Sequence, residues 1–185
     1  MVQGQPLNDI CFTQPHWRVI AQGFDTERWF CDGQAVGTGG IKHPSRVTLK
    51  LHHRYYRLTS SLSTKAAQLG GGWWMSFDDF NTIRHYAERN GLDFPYAARL
   101  FLALPYEWSR LDRIVSAVLT VPVDAYAGEG KVSNLATDKW TPLQHLRVTQ
   151  LYIPGLASGS SAQPLYEKIW DSVQTQYAHS RKTVK

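Results

Sequence analysis

Large aromatic side chains dominate this sequence and already exclude several kinds of structure. Among 185 residues there are seven Trp, nine Tyr and seven Phe, and hydrophobic residues make up 43% of the chain. So many large apolar groups cannot stay solvated in a disordered chain. A chain of this length is also long enough to bury them in a real core. We therefore expect a single folded domain over residues 1–185.

The apolar stretches are too short to span a membrane. Residues 114–123, among the most apolar in the chain, cover about half the length that a bilayer requires, and they include Ser and Thr. The N-terminus lacks the basic start and apolar run of a secretion signal. We expect a cytoplasmic protein, or an effector that is secreted without a recognisable signal peptide.

The cysteines and histidines of the sequence form no disulfide or metal-binding motif. Cys11 and Cys31 are too few for a disulfide framework or a four-cysteine zinc site, so we expect reduced, buried thiols, with a single bridge as the alternative. His52 and His53 are adjacent and would point to opposite faces of a strand. His85 has no partner at helical or turn spacing. The sequence therefore predicts no metal site.

The net charge favours an anionic partner. Twenty basic residues against fifteen acidic ones give a charge of +5 and a pI near 9.3. Part of this excess lies in residues 180–185, which we expect to fray, and part in residues 50–57, Lys-Leu-His-His-Arg-Tyr-Tyr-Arg. Nucleic acid, a nucleotide or an acidic surface would each match such a charge.

Apolar periodicity, glycines and prolines predict an α+β chain in which strands outnumber helices. The strands are predicted at residues 47–58, 73–77, 114–123 and 143–152. The helices are predicted at residues 62–69, 78–87, 95–104 and 164–177. We expect Asp78 to cap the second helix and Gly91 to end it. Gly-Glu-Gly at residues 128–130 predicts a turn.

Three places carry candidate chemistry on their own residues. Arg57 lies near the end of an aromatic-rich strand, where a guanidinium can hold a phosphate through two hydrogen bonds; a surface arginine is the alternative. The glycines at 70–72 precede two tryptophans, which indicates close backbone approach to a flat or anionic group, or else a structural turn. Glu129, between two glycines, can present a carboxylate to a cleft, or it can simply be solvated.

Taken in order, three short motifs resemble the ADP-ribosyltransferase fold of bacterial toxins, in the branch of cholera and pertussis toxins. The family's early arginine matches Arg57, in Tyr-Arg-Leu-Thr-Ser at residues 56–60. Its aromatic-x-Ser element matches Trp-Met-Ser at residues 74–76, which precede a predicted helix. Its Glu-x-Glu loop matches Gly-Glu-Gly-Lys-Val-Ser at residues 128–133. The resemblance covers roughly residues 55–154.

The sequence departs from that family at two of the three motifs. The serine element lacks the full Ser-Thr-Ser form, and Lys131 stands at the position of the second glutamate, which is usually the catalytic one. Three explanations stay open. Glu129 acts in a shifted register, the role falls to another residue such as Asp138 or Gln144, or the fold has lost activity.

The resemblance implies an ADP-ribosyltransferase-like fold with two packed small antiparallel sheets and flanking helices. It implies an NAD-binding catalytic core at residues 47–154, an N-terminal extension at residues 1–46, and a linker with a C-terminal helix at residues 155–185. NAD would be the substrate. Gly71, Trp74 and Phe80 would contact NAD together with Arg57, and an aromatic ring among them would stack on nicotinamide.

The resemblance also implies the catalytic roles. Arg57 would hold the NAD phosphates or ribose, Ser76 would orient the carboxylate, and Glu129 would stabilise the positive charge that develops on the ribose. The implied function is cleavage of the nicotinamide–ribose bond and transfer of ADP-ribose to a macromolecular acceptor, protein or nucleic acid, as a bacterial toxin or effector.

Two other functions stay open. Arg57 followed by Gly-Gly-Trp-Trp at residues 71–74 also resembles toxins of the same broad fold that hydrolyse NAD, and the residues do not choose between water and a macromolecule as acceptor. Alternatively, the basic and aromatic residues 52–57 belong to a non-catalytic module that binds nucleic acid through phosphate contacts and base stacking. A structural protein is a third interpretation, for which no residue argues.

Overall fold

The computed structural model describes residues 4–23, 30–31, 34–35, 39–102, 104, 110–131, 146–156 and 164–178. A 3₁₀ turn at Asp9–Thr13 precedes the first α-helix. The helices are α1 (Pro15–Gln22), α2 (Lys65–Gly70), α3 (Phe77–Asn90), α4 (Phe94–Leu102) and α5 (Leu165–Ile169). The strands are β1 (Phe30–Cys31), β2 (Gln34–Ala35), β3 (Ile41–Thr48), β4 (Arg54–Thr59), β5 (Trp73–Trp74), β6 (Arg113–Leu119), β7 (Asp124–Gly130), β8 (Thr149–Tyr152) and β9 (Trp170–Tyr177). The predicted α+β class is confirmed.

The paired strands form small antiparallel sheets. One sheet has four strands in the order β3-β7-β8-β5, another has three in the order β4-β6-β9, and β1 pairs with β2 in a separate ribbon. The two larger sheets meet where Tyr56 and Met75 exchange backbone hydrogen bonds of 2.9 and 2.8 Å. The two small antiparallel sheets expected from the sequence are therefore present, together with the ribbon.

Alternation along the strands creates two apolar layers. Tyr55 of β4 and Val115 of β6 belong to a core cluster that also contains Ala125 of β7, so this cluster joins the two larger sheets. The neighbouring Tyr56 and Ile114 point the other way and pack in a second cluster with residues of α3 and α4. The helices therefore cover one face of the three-stranded sheet, and the four-stranded sheet packs on the other face.

The prediction of one continuous strand at residues 47–58 is wrong, because this segment contains the end of β3 and most of β4. β3 ends at Thr48 and β4 begins at Arg54, and the two strands belong to different sheets. Between them His52 has a positive φ of 60°, which breaks extended structure. The alternation of apolar residues continues across this turn, and periodicity alone therefore does not reveal the break.

The predicted helix at residues 164–177 is wrong over its second half. The helix α5 ends at Ile169, and β9 follows at once as the edge strand beside β6, with Tyr177 opposite Arg113. Leu165, Ile169 and Val173 do follow helical spacing, but pairing with the open edge of β6 overrides that local preference. The helices predicted at 62–69, 78–87 and 95–104 are confirmed as α2, α3 and α4 with shifted ends.

The predicted turn at residues 128–130 is also wrong, because these residues form the end of β7. Glu129 lies opposite Lys42 of β3 on one side and opposite Thr149 of β8 on the other. A strand that is paired on both sides supplies backbone partners for a Gly-Glu-Gly sequence that would otherwise favour a turn. The predicted strand at 143–152 corresponds to β8 within the described residues.

The N-terminal segment packs on the four-stranded sheet. The helix α1 contacts β3, and Phe12 and Trp17 lie against the rings of Tyr126 and Tyr152. Buried Asn8 donates from Nδ2 to the carbonyl oxygens of Asp124 (2.8 Å) and Pro154 (3.3 Å), and its Oδ1 accepts from the Asp124 N–H at 2.9 Å. Residues of the predicted N-terminal extension thus belong to the packed fold.

Replacing Asn8 with alanine should destabilise the protein by about 3 kcal/mol, because two backbone carbonyls and one buried N–H lose their partner together. Urea unfolding followed by circular dichroism measures this change. Asn90→Ala is the matched control, since exposed Asn90 makes one local hydrogen bond to the Tyr86 carbonyl. Equal stability losses in the two variants would show that the Asn8 contacts do not hold the N-terminal segment.

The described residues also give information on membrane-spanning helices and on Cys11. Within the described ranges, no helix combines the length and the apolar character needed to cross a membrane. Cys11 is buried as a free thiol, and burial raises the pKa of that thiol.

Candidate functional site

A cavity of about 330 Å³ opens where the two larger sheets meet the end of α4. Its volume is at the lower end of the range for small-molecule sites. Both sheets, the end of α4 and the segments that flank the strands supply its lining. The described lining residues are Gly39, Gly40, Arg57, Leu58, Thr59, Ser63, Trp73, Trp74, Met75, Leu102, Leu104, Leu111, Lys131 and Gln150.

Arg57 is the most unusual group in this cavity. It lies two residues after Tyr55 on β4, so its side chain leaves the strand on the face that packs against the four-stranded sheet. Its Nη1 donates to the Trp73 carbonyl oxygen at 2.9 Å, while its Nε is buried without a hydrogen-bond partner. Burial lowers the pKa of Arg57 to about 10. The fold therefore holds a cation that lacks part of its hydrogen bonding, as a site for an anion would.

Gly71 fixes the place of that guanidinium. A Cβ at Gly71 would lie 2.0 Å from Arg57 Nη2 and 2.1 Å from its Cζ, so only glycine leaves room for the group. The backbone at Gly71 has a φ of −70° and a ψ of 137°, which other residues also adopt. Glycine is therefore required by close approach and not by backbone conformation. The sequence predicts close approach to a ligand here, and the structure shows close approach to Arg57.

The two tryptophans of β5 have different surroundings. Trp74 is almost fully buried, and its Nε1 donates to the Gly71 carbonyl oxygen at 2.8 Å while its ring lies 4.4 Å from that of Trp170. Trp73 is half-buried, with its ring 5.0 Å from that of Tyr152. Both line the cavity. Trp74 thus holds Gly71, which lies against the Arg57 guanidinium, through a hydrogen bond. Trp73 offers the more accessible aromatic surface.

Lys131 and Gln150 line the cavity although the sequence patterns do not single them out as ligands. Lys131 follows β7, and its N–H donates to the Gly40 carbonyl oxygen at 2.7 Å. Gln150 on β8 is buried, and its Nε2 donates to the Leu102 carbonyl oxygen at 3.0 Å. With Arg57, the described lining holds two cations and no carboxylate. The charged side chains of the described lining are therefore both basic.

Ser76 begins α3 and contacts its first turn. Its Oγ accepts from the Asp79 N–H at 3.1 Å and donates to Asp79 Oδ2, which makes Ser76 the N-cap where Asp78 was predicted. Asp79 Oδ1 in turn accepts from the Thr149 N–H at 3.0 Å. Ser76 thus ties the start of α3 to β8, and it is not among the described residues that line the cavity.

Glu129 and Phe80 also lie outside the described lining of the cavity. The exposed side chain of Glu129 forms an ion pair with Arg147. Phe80 of α3 is buried, and its ring stacks on Tyr56 with the centroids 4.2 Å apart. The structure therefore brings together Arg57, Gly71 and Trp74 among the predicted site residues, and it does not bring Ser76, Glu129 or Phe80 into the described lining.

The other candidates from the sequence concern a metal site and the glutamate role. Within the described part of the chain, no three His, Cys, Asp or Glu side chains are grouped so that they could hold a metal ion. Asp138 and Gln144, the other candidates for the glutamate role, lie outside the described residues.

Comparisons with protein-family models, curated proteins and solved structures found no match to this chain.

Proposed function

We propose that the protein binds NAD in the Arg57 cavity, cleaves the nicotinamide–ribose bond and transfers ADP-ribose to a macromolecular acceptor. In this proposal the fold is ADP-ribosyltransferase-like. The buried guanidinium of Arg57, with an Nε that has no partner, is the observation that carries it. A diphosphate would supply the opposite charge, since an arginine pairs well with two phosphate oxygens.

The rest of the lining suits the neighbouring parts of NAD. The indole of Trp73 offers a surface on which a nicotinamide or adenine ring can stack, and Trp74 borders the same space. Lys131 adds a second cation on the side of the four-stranded sheet. A ligand with a diphosphate between two flat rings matches this arrangement of charge and aromatic surface.

The reaction breaks the bond between C1′ of the ribose and the nicotinamide nitrogen, which keeps the electron pair. Positive charge then develops on the sugar, and the acceptor nucleophile adds at C1′ and releases its proton to the solvent. A carboxylate beside the ribose would stabilise that charge, and the resemblance gives this role to Glu129. The exposed Glu129 side chain pairs with Arg147 outside the described lining, so it would have to leave Arg147 to reach the ribose. Arg57 would fix the diphosphate so that the reacting sugar meets the carboxylate and the acceptor.

The basic stretch at residues 52–57 supports a nucleic-acid function less well than the charge suggests. Arg57 lines the cavity, and Arg54 Nη1 donates to Ser116 Oγ (3.1 Å) and to the Ser172 carbonyl oxygen (2.9 Å). Arg54 is therefore engaged within the three-stranded sheet, and Arg57 is engaged with Trp73 of β5 at the cavity. Oligonucleotide binding that weakens steeply with salt would favour the nucleic-acid interpretation.

Nicotinamide release from NAD tests the proposed function. We expect release by the wild-type protein when cell extract supplies acceptors, with label from adenine-labelled NAD appearing on macromolecules. Release without extract, and without label transfer, would identify an NAD glycohydrolase instead. Absence of release under both conditions, with no thermal shift on adding NAD, would contradict NAD as the substrate.

A further inference from the structure

Gln150 of β8 lines the Arg57 cavity with an amide whose orientation is fixed. The residue is only 8% exposed. Its Nε2 donates to the Leu102 carbonyl oxygen at 3.0 Å. Because a carbonyl oxygen can only accept, this bond determines which end of the amide is the nitrogen and directs Oε1 away from Leu102. The fold therefore holds an oriented hydrogen-bond acceptor at the cavity.

Gly130 leaves the room that the Gln150 amide needs. A Cβ at Gly130 would lie 2.3 Å from Gln150 Nε2 and 3.0 Å from its Cδ. Gly130 is not among the glycines with a positive φ, so its conformation does not require glycine and the close approach does. Arg57 lies against Gly71 in the same way. The cavity thus has two polar side chains, Arg57 and Gln150, that each depend on a glycine.

The Oε1 atom of Gln150 is available to a ligand. In the part of the chain that the structure describes, no donor forms a hydrogen bond with it. Nor does it belong to the polar side-chain atoms that are both fully enclosed and without a partner. An unpartnered Oε1 on this residue therefore keeps accessible surface. The cavity that Gln150 lines is the place where a ligand donor would meet it.

Gln150 and Trp73 leave the four-stranded sheet on the same face. Trp73 lies opposite Tyr152 in the pairing of β5 with β8, and Tyr152 follows Gln150 by two residues. Both Trp73 and Gln150 line the cavity. A flat ring that stacks on the half-buried indole of Trp73 can therefore present an edge to Gln150. An N–H group on that edge would match the acceptor.

The charge of the lining distinguishes between the two rings of NAD. Both charged side chains of the described lining, Arg57 and Lys131, are basic, and Lys131 directly follows Gly130, against which Gln150 lies. The pyridinium ring of nicotinamide is a cation and would be repelled there. Adenine is neutral and carries an amino group at C6, which a glutamine amide recognises well. Adenine is therefore the ring that suits this part of the cavity.

We propose that Gln150 recognises the adenine of NAD. The ring stacks on Trp73, and its 6-amino group donates a hydrogen bond to Gln150 Oε1. This inference rests on the proposed binding of NAD and adds the base specificity of the site. A dinucleotide with hypoxanthine in place of adenine has an oxygen at C6, so two acceptors would face each other and the hydrogen bond would be lost.

Isothermal titration calorimetry with three dinucleotides tests the proposal on the full chain. The wild type should bind NAD at least about tenfold more tightly than nicotinamide hypoxanthine dinucleotide. Nicotinic acid adenine dinucleotide keeps the adenine and lacks the carboxamide N–H groups of nicotinamide. Its affinity should stay within about threefold of that for NAD. The opposite order of the two analogues would show that nicotinamide, and not adenine, faces Gln150.

Gln150→Met removes the acceptor and keeps the length of the side chain. The affinity for NAD should fall about tenfold and that for the hypoxanthine dinucleotide should stay, so the preference between them disappears. A purely structural role of Gln150 would weaken both ligands alike. Gly130→Ala displaces the amide and should have the same effect, which keeps the test valid if Gln150→Met does not fold.

Gln68→Met on α2 is the matched control and should keep the wild-type preference. Gln68 Nε2 also donates to a single carbonyl oxygen, that of Ser63 at 2.9 Å, and Gln68 is outside the described lining. Equal binding of NAD and the hypoxanthine dinucleotide by the wild type, or an unchanged preference in a folded Gln150→Met or Gly130→Ala variant, would overturn the role of Gln150 alone. No binding of NAD by the wild type would overturn the proposed function as well.

Discussion

Gly71→Ala is expected to reduce kcat/KM for nicotinamide release by about 100-fold while the protein stays folded. The added methyl would lie 2.0 Å from Arg57 Nη2, so the guanidinium has to leave its place. Alanine accepts the φ of −70° at this position, and the loss would therefore come from the displaced Arg57 and not from a strained backbone. Steady-state kinetics with NAD, together with circular dichroism, measures both effects.

Gly4→Ala is the control for this experiment, because a Cβ at Gly4 meets no atom within 4 Å. It should leave both the kinetics and the fold unchanged. Wild-type kcat/KM in a folded Gly71→Ala variant would show that the position of Arg57 does not matter for the reaction. The proposed role of Gly71 as the seat of the guanidinium would then be wrong.

Arg57→Met is expected to weaken NAD binding by at least about 100-fold, because a buried charge that pairs with phosphate would be lost. Methionine fills much of the space of the arginine stem, so the cavity walls keep most of their packing. Arg84→Met is the matched control. Arg84 is exposed on α3 and makes only a long ion pair of 3.9 Å with Glu88.

The same Arg57→Met change should stabilise the protein without ligand by about 1–2 kcal/mol. Burial lowers the pKa of Arg57 to about 10, well below the ordinary value of an arginine, so the unfolded chain binds this proton more tightly than the folded one. The charged guanidinium therefore costs folding free energy at every pH below about 10, and the cost disappears only as the pH rises from there towards the ordinary pKa of an arginine. Partial exposure reduces this cost, and the lost hydrogen bond to Trp73 offsets about 1 kcal/mol of the gain.

Chemical unfolding at neutral pH measures that gain. A rise in stability combined with lost NAD affinity would mark Arg57 as a residue kept for binding and not for folding. A destabilisation of several kcal/mol with unchanged NAD affinity would instead make Arg57 a structural residue. The Arg84→Met control should change stability by less than about 0.5 kcal/mol.

The sequence singles out Arg57, which lines the cavity, because an arginine on an aromatic-rich strand is a pattern of only a few neighbouring residues. The role of Gly71 could be predicted from the sequence only in part. Three consecutive glycines indicate close approach, but the group that approaches comes from β4, across the junction of the two sheets. Gln150 carries no local signal, and Lys131 stands out in the sequence only at the position of the family's second glutamate. Both reach the cavity through the strand order β3-β7-β8-β5.

The errors in the predicted fold have the same cause. Residues 170–177 carry a helical pattern, yet they extend the sheet because β6 leaves one edge open for them. Glu129 lies in a sequence typical of a turn, yet β7 is paired on both sides at that point. In each place a pairing between residues distant in sequence outweighs a local preference, and one sequence does not encode such pairing in a readable pattern.

Binding of NAD to the Arg57 cavity is most directly tested by isothermal titration calorimetry of NAD into the wild-type protein and into Arg57→Met. We predict one NAD bound per chain in the wild type and no measurable binding by the variant, with matching circular dichroism spectra. Equal affinities in the two proteins, or no binding by the wild type, would contradict the assignment of this cavity to NAD.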